Sequence, residues 1–260
     1  MLSYQHIYHA GNLADVQKHA ALAWILAYLT VKDKPVSYIE THSGRALYDL
    51  ASDAARKTGE AEKGIESALI QTELGAKHPY LRVLQNVRNN FGPRHYPGSP
   101  WIARELLRKS DQIHLAELHP QEAQALRSAI GKRAKVYQQD GYQLAQSLCP
   151  PNPRRGVLLI DPSYEVKTDY ATIPSFIAKV HKKWNVGVIM LWYPILTSGT
   201  HNSMLDALSK THPEGLRAEV TFPPARKGHR MVGSGLFIVN PPFGLSDEMT
   251  RIAEIFGKLT

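Results

Sequence analysis

The run Gly156-Val157-Leu158-Leu159-Ile160 carries no polar side chain and stops at Asp161-Pro162. A strand wet on one face alternates apolar and polar residues, whereas one that is apolar throughout must be covered on both faces, as in a parallel sheet sandwiched by helices. Short β-branched runs of this kind recur along the chain. Val36 to Ile39 leads to Glu40-Thr41-His42-Ser43-Gly44, Ile113 to Ala116 ends in Glu117, and Lys135 to Tyr137 leads to Asp140-Gly141. Val186 to Trp192 is a fifth run. Ala218 to Phe222 and Leu236 to Val239 read as a terminal pair joined by the basic loop Arg226-Lys227-Gly228-His229-Arg230. Helical patterns lie between the strands. Asp15 to Leu29 has apolar residues near helical spacing, and Ser99-Pro100 reads as an N-cap followed by proline at the first helical position, opening a helix over Trp101 to Lys109. The order predicts an α/β fold.

At 260 residues, 43% apolar and 21% charged, the chain has a core large enough to fold without staples and is not largely disordered. Cys149 is its only cysteine, so no intrachain disulfide is possible, and a reducing cytoplasm is the expected compartment. The longest apolar stretch, Ala20 to Leu29, falls short of the ~20 residues that span a bilayer. The N-terminus lacks the pattern of a secretory signal. No internal repeat is visible. The net charge of +8 suits a polyanionic partner but says nothing about the fold.

One spacing is irregular. In a nucleotide-binding βαβ unit the acid closing the second strand lies ~20 residues beyond the glycine turn. Here Gly44 and Glu117 are much further apart, and the excess holds helical patterns around Glu62 to Leu74 and Tyr80 to Phe91, the latter with Tyr80, Leu84, Val87 and Phe91 on one face. We read residues 1–50 and 95–260 as the core, and 51–94 as an inserted helical subdomain.

Open α/β sheets bind ligands at the carboxyl ends of their strands, where four strands here end in or beside an acid: Glu40, Glu117, Asp140 and Asp161. Such acids can accept from ribose hydroxyls and from an adenine amino group; each alone is as readily a helix N-cap or a solvated turn. The first turn, Gly44-Arg45-Ala46, lacks the three glycines that bring a pyrophosphate onto a helix N-terminus, which disfavours a dinucleotide oxidoreductase. A phosphate-free nucleoside cofactor such as S-adenosylmethionine needs no such cradle. Asp161-Pro162-Ser163-Tyr164 then gains meaning from the buried strand before it. An exocyclic amine on a base is a poor nucleophile because its lone pair is delocalised. The Asp161 carboxylate and Pro162 carbonyl can each accept one N–H and free that lone pair, while Tyr164 offers a face for an extruded base. Among the twelve histidines, His6 with His9 and His19 with His42 are possible ligand pairs, but no Cys/His pairing or His-Glu-x-x-His occurs, so no metal is expected. The clusters Lys132-Arg133-Lys135, Arg154-Arg155 and Lys182-Lys183 read as solvated faces; Arg226 to Arg230 can reach over the active edge.

Asp-Pro-Pro-Tyr after the fourth strand is the motif of amino-group methyltransferases, and the chain resembles the RlmJ family of bacterial 23S rRNA adenine-N6 methyltransferases nearly end to end. The matching stretches are Met1-Leu2-Ser3-Tyr4, His9-Ala10-Gly11-Asn12 through Asp15 and Lys18-His19, Thr41-His42-Ser43-Gly44, Tyr96-Pro97-Gly98-Ser99-Pro100, Glu117-Leu118-His119-Pro120, Asp140-Gly141, Leu191-Trp192-Tyr193-Pro194 and Val239-Asn240-Pro241-Pro242. The resemblance implies a Rossmann-like core with a small helical insertion. It implies that His19, His42, Ser99, Glu117, Asp140, Gly141 and Asp161 line the S-adenosylmethionine site, that Asp161, with Pro162 and Tyr164, is catalytic, and that Tyr4 touches RNA. Ser163 in place of the second proline loosens the turn that aims Pro162, and the chain ends earlier than the family's usual C-terminus. The expected partner is 23S rRNA or a large-subunit assembly intermediate, met by a monomer without metal or membrane. The rival readings are a DNA adenine-N6 methyltransferase and a catalytically weak RNA-binding assembly protein.

Overall fold

A computed structural model describes residues 4–224, 228 and 230–259. A 3₁₀ turn at His6–Tyr8 leads into α1 (Leu13–Thr30), β1 (Ser37–Glu40) and β2 (Leu47–Asp49). Next come α2 (Asp53–Thr58), α3 (Glu60–Lys63), α4 (Ala68–Leu74) and α5 (Pro79–Phe91), then β3 (His95–Pro97) and α6 (Ser99–Leu106). Strand and helix then alternate through β4 (Gln112–Ala116), α7 (Pro120–Ile130), β5 (Lys135–Tyr137), α8 (Gly141–Leu148), β6 (Gly156–Ile160), α9 (Asp169–Lys183), β7 (Val188–Leu196) and α10 (Asn202–Thr211). The chain closes with β8 (Leu216–Thr221), β9 (Met231–Val239) and α11 (Leu245–Gly257).

The main sheet has the order β5-β4-β1-β6-β7-β9-β8, parallel except for β9. Burial on both sides follows from the two-residue period of a strand. Val157 and Leu159 of β6 join the cluster that holds Leu22 and Leu26 of α1, Ile102 of α6 and Ile252 of α11. Leu158 and Ile160 join the opposite cluster, with Ile177 and Val180 of α9 and Leu205 of α10. The strand order reverses between β1 and β6, which opens a crevice at their carboxyl ends. No helix among the described residues is long and apolar enough to cross a membrane.

Several local readings are corrected. The fifth strand starts at Val188, since Val186 is 58% exposed, and runs on to Leu196. Pro194 is tolerated in it because β6 pairs only as far as Leu191, so the missing N–H faces no strand on that side. Ser99 is not an N-cap: Gly98 has the extended capping conformation, and Ser99 lies inside the first turn with its hydroxyl turned elsewhere. The pattern Glu62 to Leu74 is two helices. The break falls at Gly64, where a Cβ would lie 2.0 Å from the Gly11 carbonyl and where Ile65 N–H donates to that carbonyl at 2.8 Å. Tyr80, Leu84 and Val87 are buried, but Phe91 is 45% exposed and lies edge-on to Trp101. An antiparallel ribbon of β2 with β3, unforeseen from the sequence, brackets residues 51–94. Apolar residues of that stretch, Ile65, Ile70 and Leu84 among them, belong to the same buried cluster as α1.

Candidate active site

At the carboxyl edge of the sheet lies a cleft of about 1010 Å³ lined by Tyr4, His19, His42, Ser99, Glu117, Asp140, Gly141, Asp161, Pro162 and Tyr164. Residues far apart in the chain meet here: Glu117, Asp140 and Asp161 follow strands, Ser99 and Gly141 open helices, His19 reaches in from within α1, and Tyr4 from the segment before it. Glu40 is the exception among the strand-end acids. It is fully buried beneath the cleft, accepting from the Tyr38 hydroxyl at 2.9 Å and from the Ser99 hydroxyl, and that burial pushes its carboxyl up to about 8. β1 is central in the sheet and α6 begins above its end, so Glu40 faces protein and not ligand.

Glu117 is held by two backbone donors, Gly44 N–H and His119 N–H, each at 2.8 Å, and burial raises its pKa. Asp140 accepts from Gln143 N–H at 2.8 Å and so caps α8 as well as lining the cleft. Gly141 can only be glycine: a Cβ there would lie 1.9 Å from the Thr41 carbonyl oxygen. His42 shares a 2.8 Å hydrogen bond with the Thr41 hydroxyl, and burial lowers its pKa to about 4, so it is neutral near pH 7. His19 is likewise lowered by burial, to about 3. Its Nδ1 bonds the Tyr96 hydroxyl at 2.6 Å, and its Nε2, buried in the wall of the cleft, has no hydrogen-bond partner among the described residues.

The residues that sequence reasoning left without a role are on α1. Lys18 Nζ lies 2.5 Å from Asp161 Oδ2 and 3.0 Å from Asp15 Oδ1. Asp15 also accepts from His6 Nε2 at 2.8 Å and Gly11 N–H at 2.9 Å. With Nε2 donating, His6 Nδ1 is left to accept from the Tyr4 hydroxyl at 2.8 Å. A continuous polar line therefore runs Tyr4, His6, Asp15, Lys18, Asp161. Burial opposes the charge on Asp15, but His6 and Lys18 outweigh it and hold the carboxyl well below its ordinary range. The available signal was Asp15-x-x-Lys18-His19, charges one helical turn apart on a helix that is otherwise apolar nearly all round.

In Asp161-Pro162-Ser163-Tyr164, proline and tyrosine are buried while Ser163 is exposed, its hydroxyl accepting from Glu165 N–H at 3.4 Å. Tyr164 has φ +56°, a left-handed conformation costing about 1–3 kcal/mol for a side chain of this kind. Its hydroxyl donates to the Trp192 carbonyl at 2.8 Å, and its ring centroid lies 4.6 Å from Tyr170 and 6.0 Å from Trp192. Tyr164 is thus one panel of an aromatic wall and not a free-standing platform. A second stretch of similar pattern, Asn240-Pro241-Pro242-Phe243, follows antiparallel β9 and so emerges at the opposite edge of the sheet. There Asn240 donates to the carbonyls of Asn185 and Gly187, a purely local role. In the basic loop, Arg226, Lys227 and His229 lie outside the described residues, while Gly228 and Arg230 line the cleft.

A sheet of this order, with its single antiparallel strand and a cleft at the carboxyl ends of the others, defines the Rossmann-like fold that S-adenosylmethionine-dependent methyltransferases adopt. The fold is shared with a probable spermidine synthase from Corynebacterium glutamicum (TM-score 0.53, 13% identity, covering 92% of this chain and 71% of that one). A crystal structure of a protein from Legionella pneumophila str. Philadelphia 1 is far more similar (TM-score 0.86, 36% identity, covering 96% and 94%). The chain belongs to the RlmJ family: the family model described as "Ribosomal RNA large subunit methyltransferase D, RlmJ" matches residues 33–259. The ribosomal RNA large subunit methyltransferase J of Escherichia coli (strain K12) is 41% identical over 97% of this chain and 91% of its own length. That of Haemophilus influenzae is 38% identical, over 97% and 92%.

Proposed function

We infer that this protein methylates N6 of an adenosine in 23S rRNA, with S-adenosylmethionine as donor. The observation that carries the reading is the Asp161 carboxylate, which borders the cleft directly after a buried strand and is held by Lys18. S-adenosylmethionine supplies the electrophilic sulfonium methyl when bound. The donors and acceptors of the cleft fit that cofactor: Glu117 keeps free lone pairs for ribose hydroxyls beyond its two backbone donors, and His19 Nε2, 3.8 Å from Asp15 Oδ1 and without a hydrogen bond, can meet a polar ligand atom. His42, Asp140 and Gly141 complete that side. The Ser99 hydroxyl is already bonded to Glu40, so only the rest of its hydrogen-bonding capacity remains for a ligand.

Asp161 accepts an N–H of the target amine, directs its lone pair toward the methyl, and takes up the proton that N6 sheds as the new C–N bond forms. Lys18, bonded to Oδ2, holds Asp161 in place for that task. Tyr164 and the wall behind it hold the extruded base, and Tyr4 meets the RNA from the N-terminal arm. The main contribution is alignment of two bound reactants, for which effective molarities of ~10⁵ M or more are known.

The names of both curated relatives support RNA over DNA as substrate, and the intact Lys18–Asp161 pair supports an active enzyme over a binding protein. Within this reading the chain acts as a cytoplasmic monomer on 23S rRNA or an assembly intermediate, and residues 51–94 form a subdomain that helps to hold it. Labelled cofactor offered to 23S rRNA fragments, to duplex DNA and to no acceptor tests the proposal. Label on N6-methyladenosine from RNA alone is expected; label on DNA, or none, would overturn it.

A further inference from the structure

We propose that Glu60, the first residue of α3 in the inserted segment, is a positioning residue for methyl transfer that clamps the N-terminal arm onto the cleft. Its two carboxylate oxygens are used on two arm residues. Oε1 accepts from His9 Nδ1 and Oε2 from Asn12 Nδ2, each at 3.0 Å. Each contact leads to the polar line described above. The His9 ring is stacked on Tyr4, with centroids 5.9 Å apart and planes 9° from parallel. Asn12 uses its Oδ1 to accept from Asp15 N–H at 2.9 Å, capping α1 at the residue that holds Lys18. One carboxylate from the insertion thus fixes both the outer end of the line, Tyr4, and its middle, Asp15.

The surroundings of Glu60 are built for this contact. The Thr58 hydroxyl donates to the Tyr8 carbonyl, and Ile65 N–H donates to the Gly11 carbonyl at 2.8 Å. Gly64 presses so closely on Gly11 and Asn12 that no Cβ would fit. The α2–α4 segment therefore seats the backbone of the arm, and Glu60, only 13% exposed, sets the side chains that the seat presents. Glu60 lines the cleft but lies outside the Tyr4-to-Asp161 line, so it acts through His9 and Asn12. Displacement of such groups matters because a shift of about 1 Å in a positioned group can cost ~10²-fold in rate. The inference rests on the reading that the arm and Asp161 together hold the target adenosine, and it gives the insertion a part in the chemistry beyond holding RNA.

The test compares wild type with Glu60→Ala, Glu60→Gln, His9→Ala and the double variant His9→Ala/Glu60→Ala. Four quantities are measured: thermal unfolding, S-adenosylhomocysteine affinity, single-turnover methylation of a 23S rRNA fragment, and hydrogen exchange of residues 5–12. Glu60→Ala should methylate at least about tenfold more slowly at saturating RNA and cofactor, with faster exchange across residues 5–12. The double variant should be no more than about twofold slower than Glu60→Ala, because both changes cut one connection. Glu60→Gln keeps the shape and one acceptor, so it should fold as wild type does and lie between the two in rate. A Glu60→Gln protein with wild-type rate and wild-type exchange would overturn the proposal. So would Glu60→Ala methylating within twofold of wild type while merely melting earlier, which is the behaviour of a simple structural staple. If wild type itself transfers no methyl to the RNA, the substrate reading fails, and unchanged exchange in the Glu60 variants still judges the clamp on its own.

Discussion

The Lys18 ammonium and the Asp161 carboxylate, brought together from α1 and the end of β6, stand 2.5 Å apart with little of either in contact with water. Burial works against the charge on Lys18, but Asp161 and Asp15 outweigh it and raise its pKa. The arrangement sets a compensating cation directly on the Asp161 carboxylate. Lys18→Met, close in length and neutral, should remove that compensation. Breaking a buried pair by deleting one partner typically costs about 3–5 kcal/mol, and here two carboxylates are stranded together. We expect a marked loss of stability in urea unfolding, and at least a tenfold loss of single-turnover rate in the protein that remains folded. A variant that melts earlier but methylates normally would confine Lys18 to a structural role.

Asp161 and Glu117 border one cleft, yet their surroundings predict opposite phenotypes. Asp161 follows the buried strand beside Pro162 and faces Lys18, whereas Glu117 is fixed by the Gly44 and His119 amides. Asp161→Ala should abolish methylation, since a positioned proton acceptor contributes about 10²-fold or more. It should weaken S-adenosylhomocysteine binding far less than Glu117→Ala, which leaves the ribose hydroxyls unpartnered. Calorimetry on both variants decides the point; a near-normal rate for Asp161→Ala once cofactor is raised would make Asp161 a binding residue only.

The contrast between these acids and Glu40 shows what could be read from sequence. Apolar runs ending in acids locate strand ends, because burial on both faces and a polar terminus are properties of local composition. They do not say which way the last side chain turns. Glu40 turns inward because Tyr38 and Ser99 supply hydroxyls there, and that pairing spans fifty-nine residues of chain between Glu40 and Ser99. Lys18 was left without a role for the same reason: its partner is 143 residues away. The β2–β3 ribbon was invisible because Leu47-Tyr48-Asp49 and His95-Tyr96-Pro97 are short and hold no β-branched residue, and one carries a proline. The break at Gly64 depends on a neighbour, Gly11, that no local pattern predicts.

Glu40 also predicts a pH dependence of stability. Its folded-state value of about 8 lies above the ordinary 4.5, so between those values the folded protein holds a proton that the unfolded chain has released. The stabilisation is complete below the unfolded value and is lost as pH rises through the folded one, with a slope of at most about 1.4 kcal/mol per pH unit. His19, lowered to about 3, acts in the opposite sense, and its stabilisation is lost as pH falls. The difference between wild type and Glu40→Gln isolates the Glu40 contribution, since glutamine stays neutral throughout. Urea midpoints from pH 5 to 9 should fall more steeply for wild type than for Glu40→Gln; parallel curves would mean that Glu40 does not titrate in this range.

Gly141→Ala tests the close approach of α8 to the end of β1. The new methyl would meet the Thr41 carbonyl oxygen at 1.9 Å, so the turn that carries Asp140 must retreat from the cleft. Overpacking of this kind costs about 1–3 kcal/mol. Because the displaced turn borders the cofactor side of the cleft, S-adenosylhomocysteine affinity should drop by at least tenfold, while the far-UV circular dichroism stays native. Unchanged affinity would exclude the Asp140–Gly141 turn from the cofactor site.

RNA binding should be strongly salt-dependent, with the β8–β9 loop supplying part of that dependence. The chain carries a net +8, and Arg230, exposed at the end of that loop, lines the cleft whose floor holds Asp161. The guanidinium of Arg230 makes none of the ion pairs found among the described residues, unlike Arg45, which is held by Glu122, or Arg251, held by Glu248. Arg226 and Lys227 add two charges to the same loop. Withdrawing one cation from an RNA phosphate should change the slope of log affinity against log salt by roughly 0.7–0.9. Changing Arg226, Lys227 and Arg230 together to alanine should therefore flatten the slope by roughly 2–3 if all three meet phosphates. Affinity for S-adenosylhomocysteine should be unaffected, because Gly228 and Arg230 meet the cleft from the strand pair at the far end of the sheet and not from β1, β4 or β5. Filter-binding titrations of a 23S rRNA fragment over a range of salt concentrations measure the slope directly. If the triple variant keeps the wild-type slope, the loop lies outside the RNA interface and the charge that attracts RNA must be sought elsewhere on the protein.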